Sequence, residues 1–211
     1  MRVAAVRLAK AAWVAAVVSG VAVYGWYRAR TVYARPVVKS SLEVFRGASR
    51  GGQLLGAGRD TIVLFCDYRC PHCAQLYTAL DSALSHNPEW LTVRVRHFVP
   101  AAPEARSFQI ALAAECAAKQ GLFEEFSEWT YRNVGGADEF APSEAAYAIG
   151  VASVAEFESC VASPATGSLV IEDIKTASEL GVPGTPTIFT RRYKIVGALP
   201  VARLKAFASV R

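Results

Sequence analysis

Cys70 and Cys73 stand two residues apart in "VLFCDYRCPHCAQLY" (63–77), and Cys66 lies just upstream. Cysteines at this spacing serve three chemistries: a metal clamp, a thiol–disulfide pair or a structural staple. The redox reading rests on place as well as spacing. The residues before the motif read as a strand and those after it as a helix, so Cys70 opens the helix. There its sulfur lies beside unpaired N–H groups and the positive end of the helix dipole, and both stabilise a thiolate. Cys73 sits one turn on, as a resolving thiol. His72 adds a positive or hydrogen-bonding group between them, and Pro71 suits the first turn, where a missing N–H costs nothing. Stabilising the ionised, reduced pair makes its disulfide the stronger oxidant. Cys66, Cys70, His72 and Cys73 also offer four potential metal ligands. Zinc sites draw theirs from two separated pairs, so no dedicated metal site is expected. A staple across two residues constrains little of the unfolded chain.

The elements around the motif follow from periodicity. "TIVLFCDY" (61–68) is a short, β-rich apolar run, read as a buried strand. Cys73, Leu76 or Tyr77, Leu80 and Leu84 then recur at helical spacing over 71–85. "LTVRVRHFVP" (91–100) alternates, with Leu91, Val93 and Val95 on one face and Thr92, Arg94 and Arg96 on the other, as in a strand. Strand, helix, strand makes a βαβ unit. Helical patterns fill 103–163, and a longer helix runs to Gly181. Strands return in "TPTIFT" and "YKIVGA", and "PVARLKAFASV" closes the chain as a helix. Upstream, "SLEVFRG" reads as a first strand and "GASRGGQLLGAG" as a loop. The loop lacks the Gly-Lys-Ser/Thr ending of a phosphate loop.

Charge divides the 211 residues unevenly. Residues 1–39 hold seven of the 23 Lys and Arg and none of the 18 Asp and Glu, which leaves 16 basic against 18 acidic residues in the body. No basic stripe points to nucleic acid. After a basic 1–10, "AAWVAAVVSGVAVYGWY" (11–27) is uncharged and close to the roughly 20 apolar residues of a membrane helix. Trp13, Tyr24, Trp26 and Tyr27 sit near its ends, where interfaces favour aromatic rings. It reads as an uncleaved anchor, with a cleaved signal sequence as the alternative. Residues 28–59 read as a tether leading into the domain. Export agrees with five cysteines, because exported compartments tolerate disulfides.

"FCDYRCPHC", with "ELGVPGTPT" (179–187) far downstream and the helical run "AAECAAKQG-LFEEF" between, resembles the DsbA-like thiol–disulfide oxidoreductases of the thioredoxin superfamily over about 60–210. The resemblance implies a thioredoxin fold, a central mixed α/β sheet flanked by helices, with a helical insertion at about 101–165. It implies a cis Thr185-Pro186 bond beside the active pair, turning the preceding backbone outward to take an extended substrate. It also implies a structural Cys116–Cys160 disulfide across the insertion. The alternative for those two is a pair of buried thiols. The Pro-His dipeptide is similar to that of strongly oxidising members. The expected function is an exported oxidase that donates the Cys70–Cys73 disulfide to folding proteins, on the periplasmic side of a bacterial inner membrane or, after signal cleavage, free of it. No cofactor beyond that disulfide is expected. The implied partners are reduced exported proteins and a quinone-linked membrane protein that reoxidises the pair, and the chain is expected to act as a monomer. A reductase or isomerase of the same fold, a metal carrier using Cys70, His72 and Cys73, and a peptide-holding module stay open.

Two nearby residues carry open readings. Cys66 is either an inert core thiol or a regulatory or trapping sulfur. Asp67 either relays protons to Cys73 or shapes the turn. His97 reads as a core or rim histidine, and His86 as a solvated one.

Overall fold

A computed structural model describes residues 37–99, 101–102, 105–133 and 140–209. The anchor expected at 11–27 and the basic residues 1–10 lie outside them. No helix among the described residues is long and apolar enough to cross a membrane.

The order is β1 (Val37–Lys39), α1 (Leu42–Ala48), β2 (Gln53–Leu55), β3 (Asp60–Cys66), α2 (Pro71–His86) and β4 (Leu91–His97). Five helices follow: α3 (Arg106–Lys119), α4 (Phe123–Asn133), α5 (Pro142–Ile149), α6 (Val154–Val161) and α7 (Pro164–Glu179). Then come β5 (Thr187–Phe189), β6 (Tyr193–Val196) and α8 (Val201–Ala208). The sheet runs β1-β6-β5-β3-β4-β2, with β3 parallel to β4 and the other pairs antiparallel.

β3 is apolar on both faces because both faces are covered. Ile62, Leu64 and Cys66 join the larger core with Leu76, Leu80 and Leu84 of α2. Val63 and Phe65 join a second core with Phe45 and Ala48 of α1, Ala177 and Phe189. Successive side chains of a strand point to opposite faces, so Cys66 is committed to the α2 side.

Four expectations change here. "SLEVFRG" is a helix, not a strand. Ser41 caps it by accepting from the Val44 N–H at 3.2 Å, Glu43 and Arg46 suit its dipole, and Phe45 and Ala48 form its buried face. "GASRGGQLLGAG" is not all loop, because Gln53–Leu55 pairs with β4. Gly52 and Gly56 beside it take positive φ, and a Cβ at either would meet the β4 backbone within 3 Å. With β1, α1 and β2 in the sheet and its second core, residues 37–59 are part of the domain and not a free tether. Arg96, placed on the polar face of its strand, is 1% exposed because α1 and α7 cover that face.

The insertion comprises α3–α6, Arg106–Val161. Cys116 of α3 and Cys160 of α6 are joined as a disulfide, with Cα atoms 5.9 Å apart and a separation of 44 in sequence. By chain entropy a loop of that length is worth about 4 kcal/mol. The cross-link holds α3 to α6, and α3 carries two side chains that reach the site region, Ser107 and Glu115.

Candidate active site

Cys70 is the N-cap of α2 with Pro71 next, and no side-chain hydrogen bond caps that end of the helix. The β3–α2 turn is held from both sides. The Cys70 N–H donates to the Asp67 carbonyl at 3.0 Å, and Asp67 Oδ1 accepts from the Arg69 N–H at 2.8 Å. Asp67 Oδ2 accepts from Ser107 Oγ at 2.9 Å. The Asp67 side chain is therefore tied into the turn and to α3, while its backbone reaches Cys73.

The other half of the site arrives from 115 residues away. The Cys70 thiol donates to the Thr185 carbonyl at 3.4 Å, and Thr185-Pro186 is cis. Pro186 is buried, and its carbonyl accepts from the Gly197 N–H at 2.7 Å, which fixes the loop to the β6 end of the sheet.

Cys70 and Cys73 are free thiols with opposite surroundings. Cys70 is half-buried, and its pKa is lowered from 9.0 to about 5. The Cys73 thiol donates to it first, burial opposes, and the Thr185 side chain and the backbone N–H groups of Cys73 and His72 add to the lowering. Cys73 is 1% exposed, and burial pushes its thiol far up. One sulfur is poised as an accessible thiolate and its neighbour is kept as a proton-bearing thiol. His72 contributes through its N–H, and its side chain is exposed.

This asymmetry gives a direct expectation. Alkylation of the native, reduced protein by iodoacetamide follows a pH profile with its midpoint near 5, read at Cys70. At pH 7 such a thiol is about 99% ionised, against about 1% for an unperturbed one. A midpoint near 9 would remove the activated nucleophile.

Behind the cysteines lies an aromatic wall that sequence reasoning missed. The Tyr131 hydroxyl donates to Cys66 Sγ at 3.4 Å, and its ring lies 5.0 Å from Tyr68 and 4.8 Å from Tyr77. Tyr68 is buried with its hydroxyl 2.9 Å from Ser127 Oγ. Tyr131 belongs to the amphipathic run of α4, but nothing in that pattern says which core its face meets.

His97 is buried, in register with Cys66 on the neighbouring strand. Burial works against its charge, but hydrogen bonding and attraction from Glu115, 3.0 Å away, raise its pKa. Glu115 is held below its ordinary range by the same contact, against burial. Asp173 completes a cluster of three potential metal ligands. Its carboxylate oxygens already accept from Arg96 Nε and the His97 N–H, and those of Glu115 face His97 Nε2 and Gln53 Nε2. The cluster is a hydrogen-bonded brace under the site. The four-ligand set at the motif is divided as well: His72 is exposed, while Cys66 and Cys73 are buried. His86 lies on the surface, with Nδ1 2.6 Å from the Ser82 carbonyl.

The chain is similar to several known proteins. The thioredoxin family model matches residues 56–208. A thioredoxin-like oxidoreductase from Silicibacter pomeroyi superposes with a TM-score of 0.63 at 21% identity, over 79% of this chain and 95% of its own. The thiol-disulfide exchange protein alpha-DsbA2 of Wolbachia pipientis does so with 0.61 at 16%, over 78% and 90%. The Na(+)/H(+) antiporter NhaA 1 of Mycobacterium sp. (strain KMS) is 30% identical over 145 residues, 68% of this chain and 24% of the antiporter. The chain thus spans about a quarter of the length of the curated relatives it matches. With the motif at the strand–helix junction, the cis-proline loop against Cys70 and a family match over most of its length, the chain belongs to the thioredoxin family and has the DsbA-like form of its fold.

Proposed function

We propose that the protein is an exported thiol–disulfide oxidase that passes the Cys70–Cys73 disulfide to reduced, folding proteins. The observation that carries the reading is the contrast between Cys70, lowered to about 5, and the buried Cys73. A stabilised Cys70 thiolate favours the reduced protein, and so makes the oxidised form a donor of disulfides.

In the reaction, an extended substrate docks against the Thr185 backbone. Its thiolate attacks Cys70 Sγ, the Cys70–Cys73 bond breaks, and Cys73 leaves and takes up a proton. A second substrate thiolate then attacks the substrate sulfur of the mixed disulfide. The substrate disulfide forms, and Cys70 leaves as the thiolate its surroundings favour. A quinone-linked membrane partner removes two electrons from the dithiol and restores the donor. The apolar stretch 11–27 and the Cys116–Cys160 disulfide support an oxidising, membrane-side location. The name of the Wolbachia relative, a thiol-disulfide exchange protein, supports the reaction class.

The reduction potential tests the direction. Equilibration with glutathione is expected to place the pair well above the roughly −270 mV of thioredoxin, towards the roughly −120 mV of strong oxidants. A value near −270 mV sinks the oxidase reading and leaves a reductase.

A further inference from the structure

Thiol exchange at Cys70 does not by itself select among substrate thiols, but the charges around Cys70 do. The segments that frame it, residues 67–75, 105–114 and 181–187, hold Arg69, His72 and Arg106 against one carboxylate, Asp67. That carboxylate is already committed. Oδ1 accepts from the Arg69 N–H at 2.8 Å and Oδ2 from Ser107 Oγ at 2.9 Å. Neither Arg69 nor Arg106 is in an ion pair among the described residues. Arg69 directly precedes Cys70 and is exposed, as is His72 on its other side. Arg106 is brought in from the insertion. Its neighbour Ser107 bonds to Asp67, and the Asp67 carbonyl takes the Cys70 N–H at 3.0 Å. Arg106 is half-buried, and its Nη1 is buried with no hydrogen-bond partner. Buried donors are almost always satisfied, so an orphan beside a reacting sulfur marks a place for an acceptor. Ala105 gives α3 no side-chain cap, and its first turn holds no acid, so the positive end of that helix adds to the field. The next acids along α2 and α3 are Asp81 and Glu115, each more than two turns on, and Glu115 is bound to His97.

We propose that Arg106 and Arg69 form a carboxylate subsite beside Cys70, so that the site prefers substrate cysteines flanked by acidic residues. A guanidinium held half out of water without a counter-ion suits a carboxylate, which it takes through two parallel N–H bonds. The Thr185 backbone positions the substrate chain, and the arginines read its side chains. In an extended chain, a residue within three of the reacting cysteine lies about 10 Å or less from it. Arginines rooted at the β3–α2 turn and the α3 N-terminus cover that range. An acidic flank gains the pair, a basic flank meets two like charges, and a neutral flank leaves Arg106 without an anion. The substrate thiolate is itself an anion, so the same field draws it towards Cys70. The exchange step is unchanged. The subsite acts on how often a substrate arrives and how long it stays.

The inference rests on the thiol–disulfide exchange proposed above, and one set of rates scores the two separately. The full chain, oxidised at Cys70–Cys73, is mixed with two-cysteine peptides that differ only in their flanking residues: Glu, Gln or Lys. Each rate of peptide oxidation is divided by that peptide's own thiolate fraction, because flanking charge also shifts a thiol's pKa. At low salt the acidic peptide is expected to react about tenfold faster than the neutral one, with the basic peptide slowest. The spread shrinks in about 0.5 M NaCl. Arg106→Gln and Arg69→Gln each bring the acidic-to-neutral ratio several-fold towards one, and Arg106→Lys keeps part of it. Arg203→Gln removes the same charge from α8 and is expected to leave the ratio as in the wild type. Glu104, two residues before Arg106 in sequence, lies outside the described residues. A preference that appears only in Glu104→Gln would make Glu104 the anion of Arg106 and overturn the proposal. Glutathione and 2-mercaptoethanol, thiols with and without carboxylates, are compared alongside. A preference confined to that pair assigns the carboxylate to a small thiol and overturns the protein substrate. Equal rates for the three peptides, or a ratio that Arg106→Gln leaves unchanged, removes the subsite while the exchange stands. If no peptide is oxidised, the exchange reading itself has failed.

Discussion

Cys73→Ala accumulates mixed disulfides through Cys70, and Cys70→Ala accumulates none. In the first variant the accessible sulfur survives and still attacks substrate disulfides, but the thiol that would resolve the complex is gone. Complexes should appear on non-reducing gels as reductant-sensitive bands after capture from the exported fraction. Cys70→Ala leaves only Cys66 and Cys73, at 2% and 1% exposure, so exchange falls to background. The loss is about 100-fold or more from ionisation alone, the ratio between a nearly complete and a nearly absent thiolate at pH 7. The first variant carries a second signature. The donor that contributes most to lowering Cys70 is the Cys73 thiol, so Cys73→Ala should move the alkylation midpoint up from about 5. An unmoved midpoint would assign the activation to the helix N-terminus and the Thr185 loop. Absence of trapped complexes in both variants would falsify the assignment of Cys70 as nucleophile.

The largest effect on stability is expected at Asp173, under the sheet face opposite α2. Arg96 is 1% exposed and donates from Nε to Asp173 Oδ1 at 2.6 Å. Its other contacts are Thr176 Oγ1 at 3.0 Å, the Ala48 carbonyl at 3.3 Å and the Phe65 ring, 5.6 Å away. None of these carries the opposite charge. Asp173 Oδ2 accepts from the His97 N–H at 2.9 Å, so the carboxylate also ties α7 to the end of β4. Asp173→Ala strands a buried guanidinium and orphans a buried N–H, for a loss of about 3–5 kcal/mol. That is a large part of the roughly 5–15 kcal/mol that holds an ordinary domain together. It should show as a lower urea midpoint with an unchanged slope. Asp173→Asn keeps an acceptor but not the charge and should lose less. Arg96→Met with Asp173→Leu removes both charges and should recover much of the loss, because the pair matters chiefly by being complete. If Asp173→Ala costs under about 1 kcal/mol, the brace is not what holds this face.

What could be read in advance was local. The two-cysteine motif, its strand and its helix occupy neighbouring residues, and both the Cys73 thiol and the helix N-terminus that lower the Cys70 pKa belong to the chain there. Periodicity located β3, α2 and β4 because each repeats one burial pattern over seven or more residues. It failed at "SLEVFRG", where seven residues hold only two helical turns and the capping serine decides. It failed at Arg96 for another reason. Alternation says that Arg94 and Arg96 share a face, but not that α1 and α7 cover the Arg96 end of it. Thr185-Pro186 lies 115 residues from Cys70 and was legible only through resemblance to a known family.

The sequence by itself determined a redox-suited cysteine pair at a strand–helix junction, because spacing, dipole and capping act within a few residues. Only the tertiary structure decided which sulfurs, hydroxyls and carbonyls meet. It brought the Thr185 carbonyl to Cys70, Tyr131 to Cys66 and Asp173 to Arg96. Those contacts depend on which helix covers which face of the sheet. That choice is made by the summed burial of the whole chain, and no local pattern of residues encodes it.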